Sequence, residues 1–517
     1  MSEKFKFGKN IIENLKTGMY KDRKIIYREY IQNSADSIDE ALEKEIISKN
    51  EAEISIDIDN SKRNIKIKDN GIGIDSKNFE QIMCCIADST KDVKYNKGFR
   101  GIGRLAGIAY CDKLIFSSKI KGENIISTCE IEAKEIRNIL NDIENKMSAD
   151  EVMELATKFY KKNSNDIDDH FFLVELKNVS NESSELLEKK TIKGYLEEVA
   201  PIPYTLRFKL YADKIKKFAK EHNFNIDEYK IKVNGEQIYK PYSTQFKDDS
   251  DNPYDELIDI DFKIFSNDKE DFAWMWFGLS RFEKSIPAKY NKMRGIRLRK
   301  ENIQIGDDAT VLKDFYKETR GYGYFIGELF AVNKGLVPNA RRDYFNENET
   351  RTEFEEKIKP VFQDEFCSLY SNANKYKNNF KKVENLKKTE EEYDEKKKSG
   401  FISADEKKKL ENEREKAKEE AIKSEKILKN CKAKADDKLN KVYNALEKQY
   451  SYEQEKEKQE IIPLNMNSSN LMVDKLKKLS QKEKNLLTNV YEIINNMLDK
   501  SLALSIIRKI QEELENK

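Results

Sequence analysis

The feature that most limits what this chain can fold into is where its glycines stop. Up to about Arg351 the sequence mixes strand-like and helix-like stretches and carries most of its 19 glycines. Beyond that point glycine nearly vanishes and Lys and Glu dominate. Sheets need tight turns, and glycine makes them most readily. A Lys/Glu run without breakers is left with helix. The 517 residues therefore divide into a mixed part and a helical tail, with room for two to four domains. Charged residues are 37% of the chain, an average raised by the tail, and the net charge is +1. That balance argues against a globally basic nucleic-acid binder, although local patches stay open. The Lys clusters at 381–389 and 395–398 are interleaved with Glu and read as solvated helix. No run of about 18 apolar residues exists, so no membrane span is expected. The N-terminus lacks an apolar signal core. The six cysteines show no metal-like spacing, which predicts reduced thiols and a cytoplasmic protein.

Periodicity places the elements. Residues 10–20 and 24–48 read as helices. EISIDID, 53–59, alternates Ile54, Ile56 and Ile58; a polar turn follows, then Ile65 and Ile67, an antiparallel hairpin with one buried face. It runs into DNGIGID. A helical patch at Phe79–Ala87, a polar glycine-containing stretch at 88–104, a short helix and strands near 113–120, 124–132 and 171–178 complete an α/β sandwich. A second α/β unit spans 191–350. It includes an Asn234-Gly235 hairpin and strands through FAWMWFGLS, GIRLRKENIQIG and YGYFIGELFAV. The segment 353–395 is helical, and Ser403 to Glu406 spells a capping box. Ala421, Leu428, Ala435 and Val442, with Leu439 and Leu446, repeat as a heptad seam and predict a coiled coil. Pro463 breaks it. A last amphipathic region uses Leu486, Leu487, Val490, Ile493, Ile494, Met497 and Leu498, a face that needs a partner. The expected segments are 1–190, 191–350, 351–462 and 463–517.

Three stretches carry chemistry. In REYIQNSADS, Glu29, Asn33 and Asp36 fall at i, i+4 and i+7, one face of a helix. Asp69-Asn70-Gly71-Ile72-Gly73 leaves a strand. KGFRGIGRLAG, with Gly98, Gly101 and Gly103, leads into a helix. Each alone is an ordinary polar face or loop; the three in order suit one ligand. A buried Asp69 accepts from an exocyclic amine such as that of adenine, and Gly71 and Gly73 let backbone approach a flat ring. A glycine-rich loop entering a helix offers N–H groups to phosphates. The Asn33 amide oxygen suits Mg²⁺, which prefers oxygen ligands and keeps some waters. Glu29, one turn earlier, suits a base that orients and deprotonates a water.

EYIQNSADS, DNGIGI and KGFRGIG resemble the three boxes of the GHKL ATPase superfamily, which gathers gyrase B-type topoisomerases, ninety-kilodalton heat-shock chaperones, histidine kinases and MutL-type repair proteins. The resemblance implies an α+β protein: a Bergerat-fold ATPase sandwich, a transducer-like second α/β domain and a helical coiled-coil tail. It implies ATP and Mg²⁺ as cofactors, Glu29 as general base, Asn33 as Mg²⁺ ligand and Asp69 as adenine acceptor. Asp36, Gly71 and Gly73 are implied to line the nucleotide. ADSTKDV (87–93) looks like the MutL-type lid, which brings in Ser89, Thr90 and Lys91. Gly98, Arg100, Gly101, Ile102 and Gly103 are implied as hinge and phosphate-binding residues. GLVPNARRDYF, 335–345, resembles the chaperone middle-domain loop that carries a γ-phosphate-sensing arginine. Aligned on Asn339 that residue is Arg342, with Arg341 and Lys334 as competitors.

Within the superfamily, the chain lacks a phosphoacceptor histidine in a helical hairpin; His170 precedes a strand and His222 follows a Lys-rich helix, both read as core or surface residues. No His follows 222, so the metal motif of endonuclease-type MutL tails is missing. The expected function is ATP hydrolysis driving lid closure and head dimerisation, with a homodimer held by the heads and coiled coil. An effector or client protein would engage the C-terminal helices. Standalone proteins of this plan resemble bacterial defence components, which implies a phage-defence setting. Alternatives are an ATP-sensing scaffold with little turnover, a chaperone exposing Trp274 and Trp276 to clients, and a MutL-like clamp on DNA.

Overall fold

Isoleucine alternation sets the first hairpin, and the rest of its sheet grows from it. The computed structural model of the chain describes residues 22–84, 103–142, 147–306, 315–339, 342–459, 471–498 and 500–515. Strand β1 (Glu53–Asp59) pairs antiparallel with β2 (Asn64–Asp69), setting Ile56 opposite Ile67 and Ile58 opposite Ile65. Side chains alternate faces along a strand, so Ile65, Ile67 and Asp69 all point to the core while Lys66 and Lys68 face water. The sheet adds β3 (Cys111–Lys119), β4 (Ile125–Ile131), β5 (Thr157–Asn163), β6 (Phe171–Val179), β7 (Lys230–Val233) and β8 (Glu236–Gln237). Its strand order is β5-β4-β3-β6-β2-β1-β7-β8. Every pairing is antiparallel except β1 with β7. Two expectations change here. The Asn234-Gly235 hairpin, expected in the second unit, extends the first sheet, because β7 lies parallel to β1. Strand β5 was not expected: TKFYKKN is an edge strand, and edges carry lysines in place of apolar alternation.

Helix α1 (Ile25–Glu43) covers the buried face. Ile26, Tyr27, Tyr30, Ile31, Ala35 and Ile38 recur at helical spacing and pack on the sheet isoleucines. Each fully buried Ile side chain contributes about 1.5–3 kcal/mol. The helix stops before the expected residue 48. Glu45 takes a left-handed φ of 54°, and Ile46 N–H turns back to the Ala41 carbonyl at 2.9 Å. That is the 6→1 bond of a Schellman ending, made here without glycine.

A second sheet follows: β9 (Gln245–Lys247), β10 (Pro253–Ser266), β11 (Asp271–Ser280), β12 (Gly295–Lys300), β13 (Ile303–Gln304) and β14 (Ile326–Ala331). The order is β13-β12-β14-β11-β10-β9. Trp274 and Trp276 on β11 are fully buried, Trp274 stacking on Phe330 with ring centroids 4.3 Å apart. They belong to the core and offer no client surface. Beside them sits a fully buried charge cluster. Glu328 of β14 accepts from Arg299 of β12 and from Lys240 at 3.0 Å, and the Tyr204 hydroxyl donates to it. Burial, with Arg299 nearby, pulls the Lys240 ammonium down to about 7. The attraction of both cations outweighs burial at Glu328 and holds its carboxyl low.

The tail, with residues 279–283, forms a separate compact unit. Helices Phe366–Ser399 and Ala404–Ala433 run antiparallel: Lys396 pairs with Glu406, Tyr393 with Glu411 and Lys382 with Glu420. Ser403 caps the Glu406 N–H at 3.2 Å, and Glu406 reaches back to the Ile402 N–H at 2.6 Å. The helix ends at Ala433 and a new one runs Asp437–Gln459, stacking Tyr443 on Tyr376 of the first with centroids 3.9 Å apart. The seven-residue repeat is therefore shared by two helices packed on a third, and no single continuous seam exists among the described residues. The predicted last amphipathic face also splits: on helix Gln481–Met497, Leu487 and Ile494 pack inward beside Tyr491, while Leu486, Val490, Ile493 and Met497 are exposed. No described helix is long and apolar enough to cross a membrane.

Removing one partner of a buried ion pair strands the other charge, at about 3–5 kcal/mol. Glu328→Gln leaves Arg299 and Lys240 facing a neutral amide, so urea denaturation should show a stability loss on that order.

Candidate functional site

Helix α1 buries an apolar stripe and keeps a polar one, and three distant stretches of the chain converge on the polar one. Glu29 is 6% exposed, Asn33 and Asp36 are half-buried, and all lie along the same side. The face is thus a lined one and not a solvated one.

At the Glu29 end, Gly103 opens the turn Gly103–Ala109, which follows the predicted glycine loop. A Cβ on Gly103 would stand 2.5 Å from Oε2 of Glu29, so any larger residue would have to displace the carboxylate. The Tyr30 hydroxyl, one residue on, ties that turn to α1. It donates to the Arg104 carbonyl at 3.1 Å and accepts from Gly107 N–H at 3.0 Å. Arg342 arrives from the second half of the unit. Its Nε lies 2.7 Å from Oε1 of Glu29, out of line for a hydrogen bond, while Nη2 donates to Oε2 at 3.4 Å. The contact is an ion pair between two nearly buried side chains. Arg342 holds a left-handed φ of 54°, which costs a side-chain-bearing residue about 1 kcal/mol or more. Its loop is held by Gly306 N–H on the Arg342 carbonyl at 2.9 Å and Arg342 N–H on Asn339 at 3.0 Å. Of its two competitors, Lys334 is exposed and Arg341 lies outside the described residues.

At the other end lies the acid–glycine turn. Asp69 ends β2 on the core face, 1% exposed. Gly71 N–H donates to its Oδ1 at 3.0 Å. Burial pushes its carboxyl up to about 6, against hydrogen bonds from the Ser34 hydroxyl, the Gly71 N–H and the Ser37 hydroxyl. A Cβ on Gly71 would collide with Ser37 of α1 at 2.1 Å. Gly73 needs glycine twice over: its φ is +72° and a Cβ would sit 2.2 Å from the Lys119 carbonyl. From Glu29 to Ser37 the helix rises about 12 Å at 1.5 Å per residue. The two ends suit a ligand with a hydrogen-bonding ring at one and an anionic group at the other. Asn33 stands between them, and one amide oxygen there fits a Mg²⁺ whose other ligands are phosphate oxygens and water.

Thr90, Lys91, Gly98, Arg100, Gly101 and Ile102, with Ser89, lie outside the described residues. Sequence reasoning missed several supports. Ser34 and Ser37 hold Asp69, and Ser37 lies four residues after Asn33, a spacing that would have placed it on the same face. His170 Nδ1 meets the Gly71 carbonyl at 2.7 Å, which no local pattern signals. Arg28, 3% exposed, donates to the Gln304 carbonyl at 3.3 Å; its Nε and Nη2 have no hydrogen-bond partner among the described residues.

Residues 24–161 match the family described as histidine kinase-, DNA gyrase B-, and HSP90-like ATPases. The matched stretch runs from the start of α1 into β5 and holds Glu29, Asn33, Asp69 and the glycine turns. It supports an ATP-binding domain of the GHKL superfamily in this part of the chain. No curated protein matches the chain.

The Asp69 proton gives a pH signature. Its folded-state value is raised, so the folded protein binds that proton more readily than the unfolded chain. The stability it contributes is full below about pH 4 and is lost as pH rises through about 6, by up to about 3 kcal/mol. Denaturant titrations of the ligand-free protein between these pH values should show the fall, and Asp69→Asn should lack that part of it.

Proposed function

We propose that the chain binds Mg-ATP along α1 and hydrolyses it to ADP and phosphate, using the change to move a partner. What carries this reading is the convergence of Glu29, Gly103 and Arg342 at one end of a helix whose other end holds Asp69. The Asp69 carboxylate takes the adenine amine, and Gly71 and Gly73 let the ring approach. The phosphates lie towards Gly103 and the glycine loop before it, with Thr90, Lys91, Gly98, Arg100, Gly101 and Ile102 as the residues that clasp them. Asn33 would hold Mg²⁺, which supplies charge neutralisation on the phosphate oxygens. Glu29 orients a water and takes its proton as the oxygen attacks the γ-phosphorus, and ADP leaves.

Arg342 gives the cycle a switch. In this structure it pairs with Glu29. A γ-phosphate offers that guanidinium a more highly charged partner and frees the carboxylate for the water. Arg342 then stabilises charge on the transferring phosphoryl. The closing of the glycine loop, pairing of two heads and engagement of an effector or client by the C-terminal helices belong to the same proposal. A second reading, an ATP-sensing scaffold with little turnover, draws on the same ion pair, because a base held by arginine is a poor proton acceptor.

Glu29→Ala separates the two. For the hydrolysing machine, turnover falls at least 100-fold while ATP affinity stays within about threefold, as for loss of a group that acts in the transition state. Wild-type protein that binds ATP without turnover leaves the scaffold. Sizing the protein with ATP and with ADP tests head pairing, which predicts a larger species with ATP alone.

A further inference from the structure

We infer that His170 is a positioning residue for the nucleotide base, gripping the acid–glycine turn so that Asp69 selects a purine that presents an amine. The inference rests on the proposed nucleotide site. Glycines at 71 and 73 give the turn little stiffness of its own. Its shape has to be imposed from outside, and the contacts that impose it are specific. The imidazole Nδ1 of His170 lies 2.7 Å from the Gly71 carbonyl oxygen. A carbonyl only accepts, so Nδ1 carries the hydrogen, in the neutral ring or the imidazolium alike. The N–H of the same peptide unit, on Ile72, donates to the Ser37 carbonyl of α1 at 3.0 Å. That peptide plane is therefore gripped from both sides, by the catalytic helix and by the residue that leads into β6.

The consequence reaches Asp69. The Gly71 N–H, on the adjoining peptide, donates to Asp69 Oδ1 at 3.0 Å. Rotation of the 71–72 peptide would swing that N–H away and release the carboxylate from its fixed orientation. His170 is only half-buried, so its ring is not there to fill the core. A held carboxylate accepts from the amine of adenine and repels the carbonyl oxygen that guanine places there. A loose one turns aside, and the discrimination narrows.

The test is calorimetric binding of Mg-ADP and Mg-GDP to the full chain, with ATP turnover alongside. His170→Ala should weaken ADP about tenfold, the scale of one hydrogen bond, and narrow the preference for ADP over GDP. The turnover defect should fall on KM rather than kcat. His170→Asn places an amide N–H near the Nδ1 position and should restore most of both. Should the Ala variant not fold, His170→Gln, whose amide reaches towards the Nε2 position, serves as the loss variant. Unchanged ADP affinity, or a loss that Asn does not restore, overturns the proposal. Asp69→Asn is the reference. If it binds ADP as wild type does, the nucleotide site itself is wrong and the proposal falls with it. If it loses ADP while His170→Ala keeps it, only the role of His170 falls.

Discussion

A carboxylate almost withdrawn from water needs compensation, and at Glu29 that compensation is the guanidinium of Arg342. The pair joins residues 313 positions apart, one on the helix that covers the first sheet and one on a loop beyond the second. Neither partner is well served alone. Arg342 gives up a relaxed backbone to be there, with φ at 54°, and its carbonyl is tied to Gly306. Strain of this kind persists where surrounding structure over-determines it. The same helix reaches the second sheet once more through Arg28 and the Gln304 carbonyl. The Gln304 side chain in turn accepts from Arg297, which pairs with Glu198 at 3.1 Å.

That arrangement gives the two sheets different jobs. The first is solvated on one face and packed on the other, so its buried carboxylate, Asp69, is held by N–H and hydroxyl groups alone. Burial raises that carboxyl, and the donors around it offset only part of the rise. The second sheet buries full charges and satisfies them internally, with Glu328 between Arg299 and Lys240. A network so closed offers nothing to a ligand. In the charge cluster every buried charge is met, which makes it rigid.

Much of this was legible in the sequence, for reasons that can be named. The β1–β2 hairpin announced itself because one face is buried and period-2 alternation survives in Ile54, Ile56, Ile65 and Ile67. That same alternation fixes Asp69 on the core face. Gly71 and Gly73 stand where a Cβ would meet backbone atoms, so the glycines of that turn carry a structural reason of their own. Strand β5 was illegible, since a lysine-rich edge carries no buried pattern. The parallel join of β7 to β1 was illegible too: a hairpin signal says that two strands pair and not which sheet receives them. The heptad repeat misled because three helices packed within one chain bury every seventh residue as well as two supercoiled ones do. His170 acts through a backbone carbonyl, a contact that leaves no trace in residue pattern.

The Glu29–Arg342 pair also bounds how the site can respond to a ligand. A ligand shifts such an equilibrium only by its differential affinity for the two arrangements. The Asp69 turn is held by α1 and His170, at the other end of the helix from Arg342, and among the described residues makes no contact with the pair. The difference has to come from the Glu29 end, where an anion would compete directly with a carboxylate for one guanidinium. Moving the pair from almost wholly closed to almost wholly open takes about 5.5 kcal/mol. Charge-assisted hydrogen bonds from one arginine supply about 1.5–3 kcal/mol each, and a bidentate contact makes two. On the proposed reading, the distinction between triphosphate and diphosphate would rest on the reach of one side chain, and an anion there would release the carboxylate that is to take a proton from water.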